Sequence, residues 1–356
     1  EILYLGSDDG LESTLAPAAG FSFTMIKAGK LRRYVSVRTL TGVARVPVGM
    51  AQAITIVRKF RPQVALTSGG YVAVPAGLAA RLNGVPLVMH QQDVPPNLSN
   101  RLLAPMATRI SVAFADSLKY FPPRKTLHLG NPVRQAILDI RHVSEQEARQ
   151  QLGMAPERPL LLVTGGSQGA RHLNQVVCAA LPNLLEHCSV LQITGTKLFE
   201  ETQTLSAQTL ANLDESLKQR YKLVPYLNEE MPAALQAATI VLCRAGASTL
   251  SELAILGKPG ILVPLPPTIG SSPQEANAAM FGSSHAAYVI RDAELQPEML
   301  VERVIQSLSS PSALAAMAKE ALAFAMPDAT QKIVDTVVQI AGVQKRETPT
   351  YEGLIV

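Results

Sequence analysis

The feature that most constrains this chain is a grammar repeated along it: a short apolar run, then glycines or a knot of polar residues, then a helix-length stretch. Such runs stand at Ile2–Leu5, Phe21–Ile26, Val64–Leu66, Leu87–Met89, Ile110–Val112 and Leu127–Leu129. They recur at Leu160–Val163, Val190–Ile193, Ile240–Leu242 and Gly260–Val263. Strands that alternate with helices are joined by crossovers, which makes their sheets parallel and covers both faces. Several runs are apolar at every position rather than at alternate ones, as expected of strands buried on both sides. The pattern predicts an α/β chain of doubly wound parallel sheets. At 356 residues it has the length for two such domains. Leu138 to Pro159 carries a charged helix (Ser144 to Leu152) and no strand, so we place the boundary there. This gives a first domain over 1–138, a second over 139–325, a helix over 326–342 returning to the first, and a flexible polar tail over 343–356. The chain opens directly on a buried strand, Ile2-Leu3-Tyr4-Leu5-Gly6, which leaves into the Ser7-Asp8-Asp9-Gly10 turn.

Several classes are excluded at once. Apolar residues make up 47% and charged residues 17%, too rich a core for a disordered chain. No apolar run reaches the roughly 18 residues of a spanning helix. The three cysteines, Cys178, Cys188 and Cys243, form no CxxC pair and are odd in number, which fits a reducing cytosol. Neither a Walker loop nor GxGxxG is present, so ATP and NAD are poor candidates and no cofactor is expected. No His or Cys cluster and no convincing acidic pair after a strand offers a metal site.

Charge is unevenly placed. Residues 1–140 carry 16 Lys and Arg against 7 Asp and Glu, a net +9, while the remainder carries 16 against 21, a net −5. No acid occurs from Ser13 to Gln92. Lys27, Lys30, Arg32 and Arg33, with Leu31, Tyr34 and Val35 among them, mix positive charge with apolar contacts. A solvated basic face is the plain explanation. The length of the acid-free stretch favours an anionic surface as partner.

In open α/β sheets, ligands bind outside the carboxyl ends of the strands, and the informative motifs lie there. Leu160–Val163 runs into Thr164-Gly165-Gly166-Ser167-Gln168-Gly169-Ala170. Glycines let backbone approach a phosphate, and a helix start offers free N–H groups and a positive dipole end. A tight turn with Ser167 as N-cap explains the same residues equally well. Arg244-Ala245-Gly246-Ala247-Ser248-Thr249-Leu250-Ser251-Glu252 repeats the grammar. Thr249 and Glu252 have capping-box spacing, and Glu252 is alternatively placed to hold a ribose diol. Gln274-Glu275-Ala276-Asn277 opens another helix with groups suited to sugar hydroxyls. In the first half, Ser68-Gly69-Gly70-Tyr71 and Gly130-Asn131-Pro132-Val133-Arg134 each follow a strand, as does His90-Gln91-Gln92-Asp93, where polar residues have no packing reason to cluster. His128, His142, His172, His187 and His285 are read as structural.

These segments, in this order and over nearly the whole chain, resemble the MurG-type transferases of glycosyltransferase family 28. The resemblance implies a GT-B fold, two Rossmann-like domains facing across a cleft. It implies inverting, metal-independent transfer of N-acetylglucosamine from UDP-GlcNAc to a lipid-linked diphosphate acceptor (lipid I), at the cytoplasmic face of the membrane. An anionic membrane surface is then a partner, and nucleic acid is not. Carried over by position, Ser167 would touch the diphosphate and Arg134 the bound donor, and Leu227 would meet uracil through its backbone. Ala247, Ser248 and Thr249 would line phosphate and ribose, with Glu252 on the ribose and Gln274 on the sugar. Gly69, Gly70 and Tyr71 would bind the acceptor. The family's opening strand, glycine-rich loop with its histidine, and helix would lie ahead of Glu1. The family's His-Glu-Gln-Asn reads His90-Gln91-Gln92-Asp93 here, which leaves His90 and Asp93 as the expected catalytic pair. A donor-binding protein with little turnover, a UDP-GlcNAc 2-epimerase and a glycolipid synthase are the alternatives.

Overall fold

A computed structural model of the chain describes residues 1–7, 10, 12–27, 37–166, 169–266 and 274–342, with side chains of 37–46 set aside. Its contacts divide it into two compact units. One comprises Glu1–Leu129 together with the chain from Thr330 onward, the other Gly130–Ala329.

The first unit holds β1 (Leu3–Gly6), α1 (Glu12–Ala18), β2 (Ser22–Met25), α2 (Val37–Phe60), β3 (Ala65–Thr67), α3 (Ala73–Leu82), β4 (Leu87–Gln91), α4 (Leu98–Leu103), β5 (Arg109–Val112) and β6 (Thr126–His128). Its strands form a two-stranded sheet, β1-β2, and a four-stranded sheet, β3-β4-β5-β6, all parallel. Leu87, Val88 and Met89 are fully buried, as both-face coverage requires.

The second unit contains α5 (Gln135–Asp139), α6 (Glu145–Gln151), β7 (Leu160–Thr164), α7 (Arg171–His187), β8 (Ser189–Ile193), α8 (Phe199–Leu210), α9 (Glu215–Lys218), β9 (Tyr221–Val224), α10 (Met231–Ala237), β10 (Ile240–Cys243), α11 (Ala247–Leu256) and β11 (Gly260–Leu262). It continues through α12 (Glu275–Ser283), β12 (Ala287–Val289), α13 (Pro297–Leu308) and α14 (Pro311–Leu322), and α15 (Ala329–Ala341) leads back into the first unit. Its sheet is parallel with order β12-β11-β10-β7-β8-β9. Leu160 to Val163 of β7 are fully buried, and Leu161 pairs in register with Ile240. Each such side chain contributes about 1.5–3 kcal/mol on leaving water. The chain builds outward from β7 through β8 to β9, then returns to the other side of β7 at β10 and builds outward to β12. The direction reverses between β7 and β10, and this is the topological switch point at which such sheets bind ligands.

Two strands depart from the sequence reading: β9 and β12 are additional. Both are edge strands. An edge need not be apolar throughout, and Lys222 in β9 turns its ammonium to the carbonyl of Leu152 at 2.7 Å. The charged connection forms α6, capped reciprocally by Ser144 and Glu147. Arg149 is buried and donates to the carbonyls of Ala237 and Pro156 and to the Thr239 hydroxyl at 2.8–3.0 Å, which fixes α6 onto the second unit.

Candidate functional site

The loop after β7 is built from glycines with different duties. A Cβ on Gly165 would stand 2.5 Å from the Ala170 nitrogen, and one on Gly169 would stand 2.3 Å from the Thr194 carbonyl. Gly169 also has φ +73, so both packing and backbone demand glycine. Gly166, at φ +78, has no atom within 4 Å of its missing Cβ, so its backbone borders open space. α7 starts at Arg171 with Ala170 at the N-cap and no side-chain cap, which leaves the first N–H groups of a 17-residue helix for a ligand. Ser167 and Gln168, including the expected diphosphate contact of Ser167, lie outside the described residues.

On the other side of the switch point, α11 begins at Ala247 with Gly246 as N-cap, again without a side-chain cap. Thr249 therefore stands inside the first turn, and the capping box with Glu252 does not form. Ala247 is buried, Ser248 exposed and Thr249 half-buried. Glu252, 14% exposed at its side chain, is held instead by Arg134 from the segment after β6. Arg134 Nε and Nη2 both donate to Glu252 Oε1, at 3.1 and 3.0 Å, and Nη1 points to the Asn228 carbonyl at 3.5 Å. Burial pushes the Glu252 carboxyl above the ordinary range, and Arg134 offsets part of that rise. Both bonds fall on one oxygen, so Oε2 is left to accept from a ligand hydroxyl. Leu227, half-buried, is the chain neighbour of Asn228, whose carbonyl faces Arg134.

Gln274 braces the site. Its Oε1 accepts from the backbone N–H groups of Ala245 (3.1 Å) and Leu265 (3.0 Å), which ties the loops after β10 and β11. Only its amide nitrogen, 3.6 Å from the position a Gly246 Cβ would take, remains to reach a sugar. Asn277 Nδ2 donates to the Ala245 carbonyl at 3.0 Å. Arg244 pairs with Asp292, which also meets His172 Nδ1 at 3.4 Å. The sequence reading missed Asn228 and Asp292. Asn277, read in the sequence as suited to sugar hydroxyls, is fully buried and spends its amide on the Ala245 carbonyl. Cys243 beside the site is fully buried, which pushes its thiol up to about 12 and leaves it inert. Among the described residues, no group of three His, Cys, Asp or Glu could hold a metal ion.

In the first unit, the residues after β3 and β4 form a mostly buried polar network. His90 and Gln91 are the last residues of β4, 4% and 0% exposed. His90 Nδ1 lies 2.6 Å from the Ser111 hydroxyl. Gln91 donates to the Asp93 carbonyl at 2.6 Å and accepts from Asn100 Nδ2 at 2.7 Å, so both ends of its amide are used. Asn100, fully buried, also donates to the His90 carbonyl at 3.1 Å. A Cβ on Gly69 (φ +99) would meet Asn97 Nδ2 at 2.7 Å, so α4 presses against the Gly69-Gly70 loop, while Gly70 (φ +84) faces open space. Tyr71 donates to the Ser7 hydroxyl at 2.6 Å, and Ser7 donates to Glu12. The sequence reading missed Asn97, Asn100, Ser111 and the Ser7–Glu12 pair. Of the basic segment, exposed Lys27 lies within the described residues, and Lys30 to Val35 lie outside them.

With this geometry in hand, the chain was compared with known proteins. Residues 1–112 match the glycosyltransferase family 28 N-terminal domain, and residues 160–333 match the glycosyltransferase family 28 C-terminal domain. A UDP-N-acetylglucosamine–N-acetylmuramyl-(pentapeptide) pyrophosphoryl-undecaprenol N-acetylglucosamine transferase of Caldanaerobacter subterraneus is 36% identical over 96% of this chain and 91% of its own length. Its counterpart in Desulforudis audaxviator is 37% identical with the same coverage. Among solved structures, Acinetobacter baumannii MurG superposes with a TM-score of 0.70 at 27% identity, over 95% of this chain and 91% of that one. A UDP-GlcNAc 2-epimerase of Neisseria meningitidis bound to UDP-GlcNAc reaches 0.66 at 13% identity, over 95% and 91%, a likeness of fold alone.

Proposed function

The chain belongs to glycosyltransferase family 28, and on that premise we propose that it transfers N-acetylglucosamine from UDP-GlcNAc to lipid I, the undecaprenyl-diphospho-MurNAc-pentapeptide, giving lipid II for peptidoglycan. The observation that carries this reading is identity of 36–37% running through both units to transferases whose names state that reaction. The site gives the reading its chemistry. The second unit binds the donor: Glu252 Oε2 takes a ribose hydroxyl, the Leu227–Asn228 backbone meets uracil, and the Gly165–Ala170 loop with Ala247 to Thr249 receives the diphosphate. Two uncapped helix starts and Arg134 neutralise that diphosphate, so no metal is required. Gln274 offers its amide N–H to the sugar. Transfer inverts the anomeric centre: the acceptor hydroxyl attacks it from the side opposite the leaving UDP. The first unit receives the acceptor at Gly69, Gly70 and Tyr71, with His90 and Asp93 as the candidate catalytic pair.

No helix among the described residues is long and apolar enough to cross a membrane. Peripheral docking of the basic first unit on the anionic cytoplasmic leaflet fits the +9 balance of residues 1–140. Co-sedimentation should therefore rise with anionic lipid and fall with salt; equal pelleting with neutral vesicles contradicts docking. The test of the reaction is incubation of the full chain with radiolabelled UDP-GlcNAc and a lipid I analogue. Label moving into a lipid-linked disaccharide supports the reading. Release of free UDP with an epimerised sugar and no labelled lipid would instead make this chain an epimerase.

A further inference from the structure

Breaking the bond between sugar and UDP puts a further negative charge on the departing phosphate, and a fixed donor aimed at that oxygen lowers the barrier. The first turn of α7 stands where the proposed reading places that phosphate. Of its four side chains, Leu173 and Asn174 are buried, and Arg171 turns to Glu201 of α8 at 3.0 Å. His172 is the one left to face the crevice. Its side chain is 38% exposed, and Nδ1 lies 3.4 Å from Asp292 Oδ2. Asp292 follows β12, and β10, β11 and β12 lie on the side of β7 opposite β8. His172 therefore leans over the β10 side, toward the switch point, while Arg171 leans away from it. Side chains of a helix also tilt toward its amino end, here the ligand end. The other ring nitrogen, Nε2, has no partner among the described residues.

The other charges around the ring are matched or solvated. Asp292 Oδ1 accepts from Arg244 Nη1, which also reaches the carbonyls of Val263 and Pro264 at 3.1 and 3.4 Å. Arg171 pairs with Glu201 and Arg291 with Glu294. Glu298 of α13, the helix packed on α7, is exposed to solvent. The dipole at a helix start disfavours an imidazolium, but the Asp292 carboxylate facing the ring favours it. Because Arg244 already neutralises Asp292, a protonated His172 leaves the three groups with a net positive charge beside the α7 start.

We infer that His172 is a further catalytic residue of the transfer: as an imidazolium oriented by Asp292, it donates Nε2–H to the phosphate oxygen of the leaving UDP. The inference rests on the proposed transferase reading, and it departs from the reading of His172 as structural. In the step, the acceptor oxygen forms a bond to the anomeric carbon. The bond from that carbon to the phosphate oxygen breaks, and its electron pair stays on that oxygen. The acceptor proton leaves to a base of the first unit, His90 or Asp93 in the proposed reading. His172 keeps its own proton and shares it with the phosphate oxygen in a hydrogen bond that strengthens as charge arrives. Asp292 is a positioning residue, acting only through the ring.

The test is steady-state transfer by the full chain across pH, with UDP and uridine affinities measured by calorimetry. His172→Ala keeps a good helix former at the second position of α7 and leaves the Arg244–Asp292 pair in place. Its kcat should fall about 100-fold, as on losing one fixed donor to a developing anion, with donor KM unchanged. UDP affinity should fall and uridine affinity hold, since only UDP carries the phosphate charge. In the wild type, kcat should decline toward alkaline pH as the imidazolium is lost. That limb should vanish in His172→Arg, which stays charged and retains most of the kcat. Asp292→Asn should move the limb to lower pH, because the carboxylate no longer favours the imidazolium. A His172→Ala kcat within about twofold of wild type would overturn the role, as would an unchanged alkaline limb in His172→Arg. Equal losses of UDP and uridine affinity would make His172 a support of α7 and overturn it too. A wild-type chain that transfers no GlcNAc sinks the transferase reading and this role together, whereas wild-type turnover with an intact His172→Ala sinks this role alone.

Discussion

The two units carry the same β–loop–helix grammar and use it differently. In the second, the ligand edge is mostly backbone: glycines, of which Gly165 and Gly169 leave no room for a Cβ, two helix starts without caps, and one Arg–Glu pair shared with the Asn228 carbonyl. In the first, the corresponding edge is a network of side chains, His90, Gln91, Asn100 and Ser111, hydrogen-bonded to one another and mostly out of solvent. A site made of backbone tolerates little change and tends to be written as glycines. A site made of side chains can exchange one polar group for another and keep its shape.

That contrast can be broken experimentally. The largest effect should come from Gly169→Ala. The strained φ and the 2.3 Å approach to the Thr194 carbonyl together should cost about 2–5 kcal/mol in urea unfolding. Gly166→Ala meets no atom within 4 Å and should cost about 1 kcal/mol, from φ alone. Equal losses at the two positions would mean that the loop is not held as described.

Next in size is Glu252→Gln, which should weaken UDP and UDP-GlcNAc alike by about 1.5–3 kcal/mol, as for a hydrogen bond to a charged group. Calorimetry showing unchanged UDP affinity would reduce Glu252 to a partner of Arg134. The pH dependence has a definite sign. Glu252 has a raised carboxyl pKa in the fold, chiefly through burial. Its contribution to stability is therefore fully present below the ordinary carboxylate range and is lost as pH rises through the raised value. The proposed ribose contact is strongest with the ionised form, so UDP affinity should begin to fall on acidification at a higher pH than for an ordinary carboxylate. Glu252→Gln should abolish that dependence.

In the first unit, Asn100→Ala removes the amide that holds His90 and Gln91, and should destabilise by about 1–3 kcal/mol. Its UDP affinity should stay at the wild-type value, because the proposed donor contacts lie in the other unit. The smallest expected effect is that of EDTA, which should leave UDP binding and turnover unchanged. Restoration by magnesium of an activity lost to EDTA would contradict neutralisation by helix starts and arginine.

Most of this architecture was legible in the sequence because buried parallel strands must be apolar throughout, and Leu160–Val163 and Leu87–Met89 say so plainly. β9 and β12 were not, since an edge strand carries no such constraint and Lys222 interrupts the first. The Arg134–Glu252 pair joins residues 118 positions apart and had no local signal; only family resemblance placed both at the donor. Thr249-x-x-Glu252 had capping-box spacing, yet Gly246 starts the helix three residues early, so local pattern yielded to the loop geometry. The Tyr71–Ser7–Glu12 contacts escaped notice because Tyr71 lies 64 positions from Ser7, and hydroxyls in turns are common.

The claim that the two units divide the work is tested most directly by hydrogen–deuterium exchange on the full chain with and without saturating UDP. Protection should appear at the amides of Gly165 to Ala170, at Asn228 and from Ala245 to Thr249, while those of Gly69 to Tyr71 and His90 to Asp93 exchange as before. Protection confined to the first unit, or spread equally over both, would contradict the account.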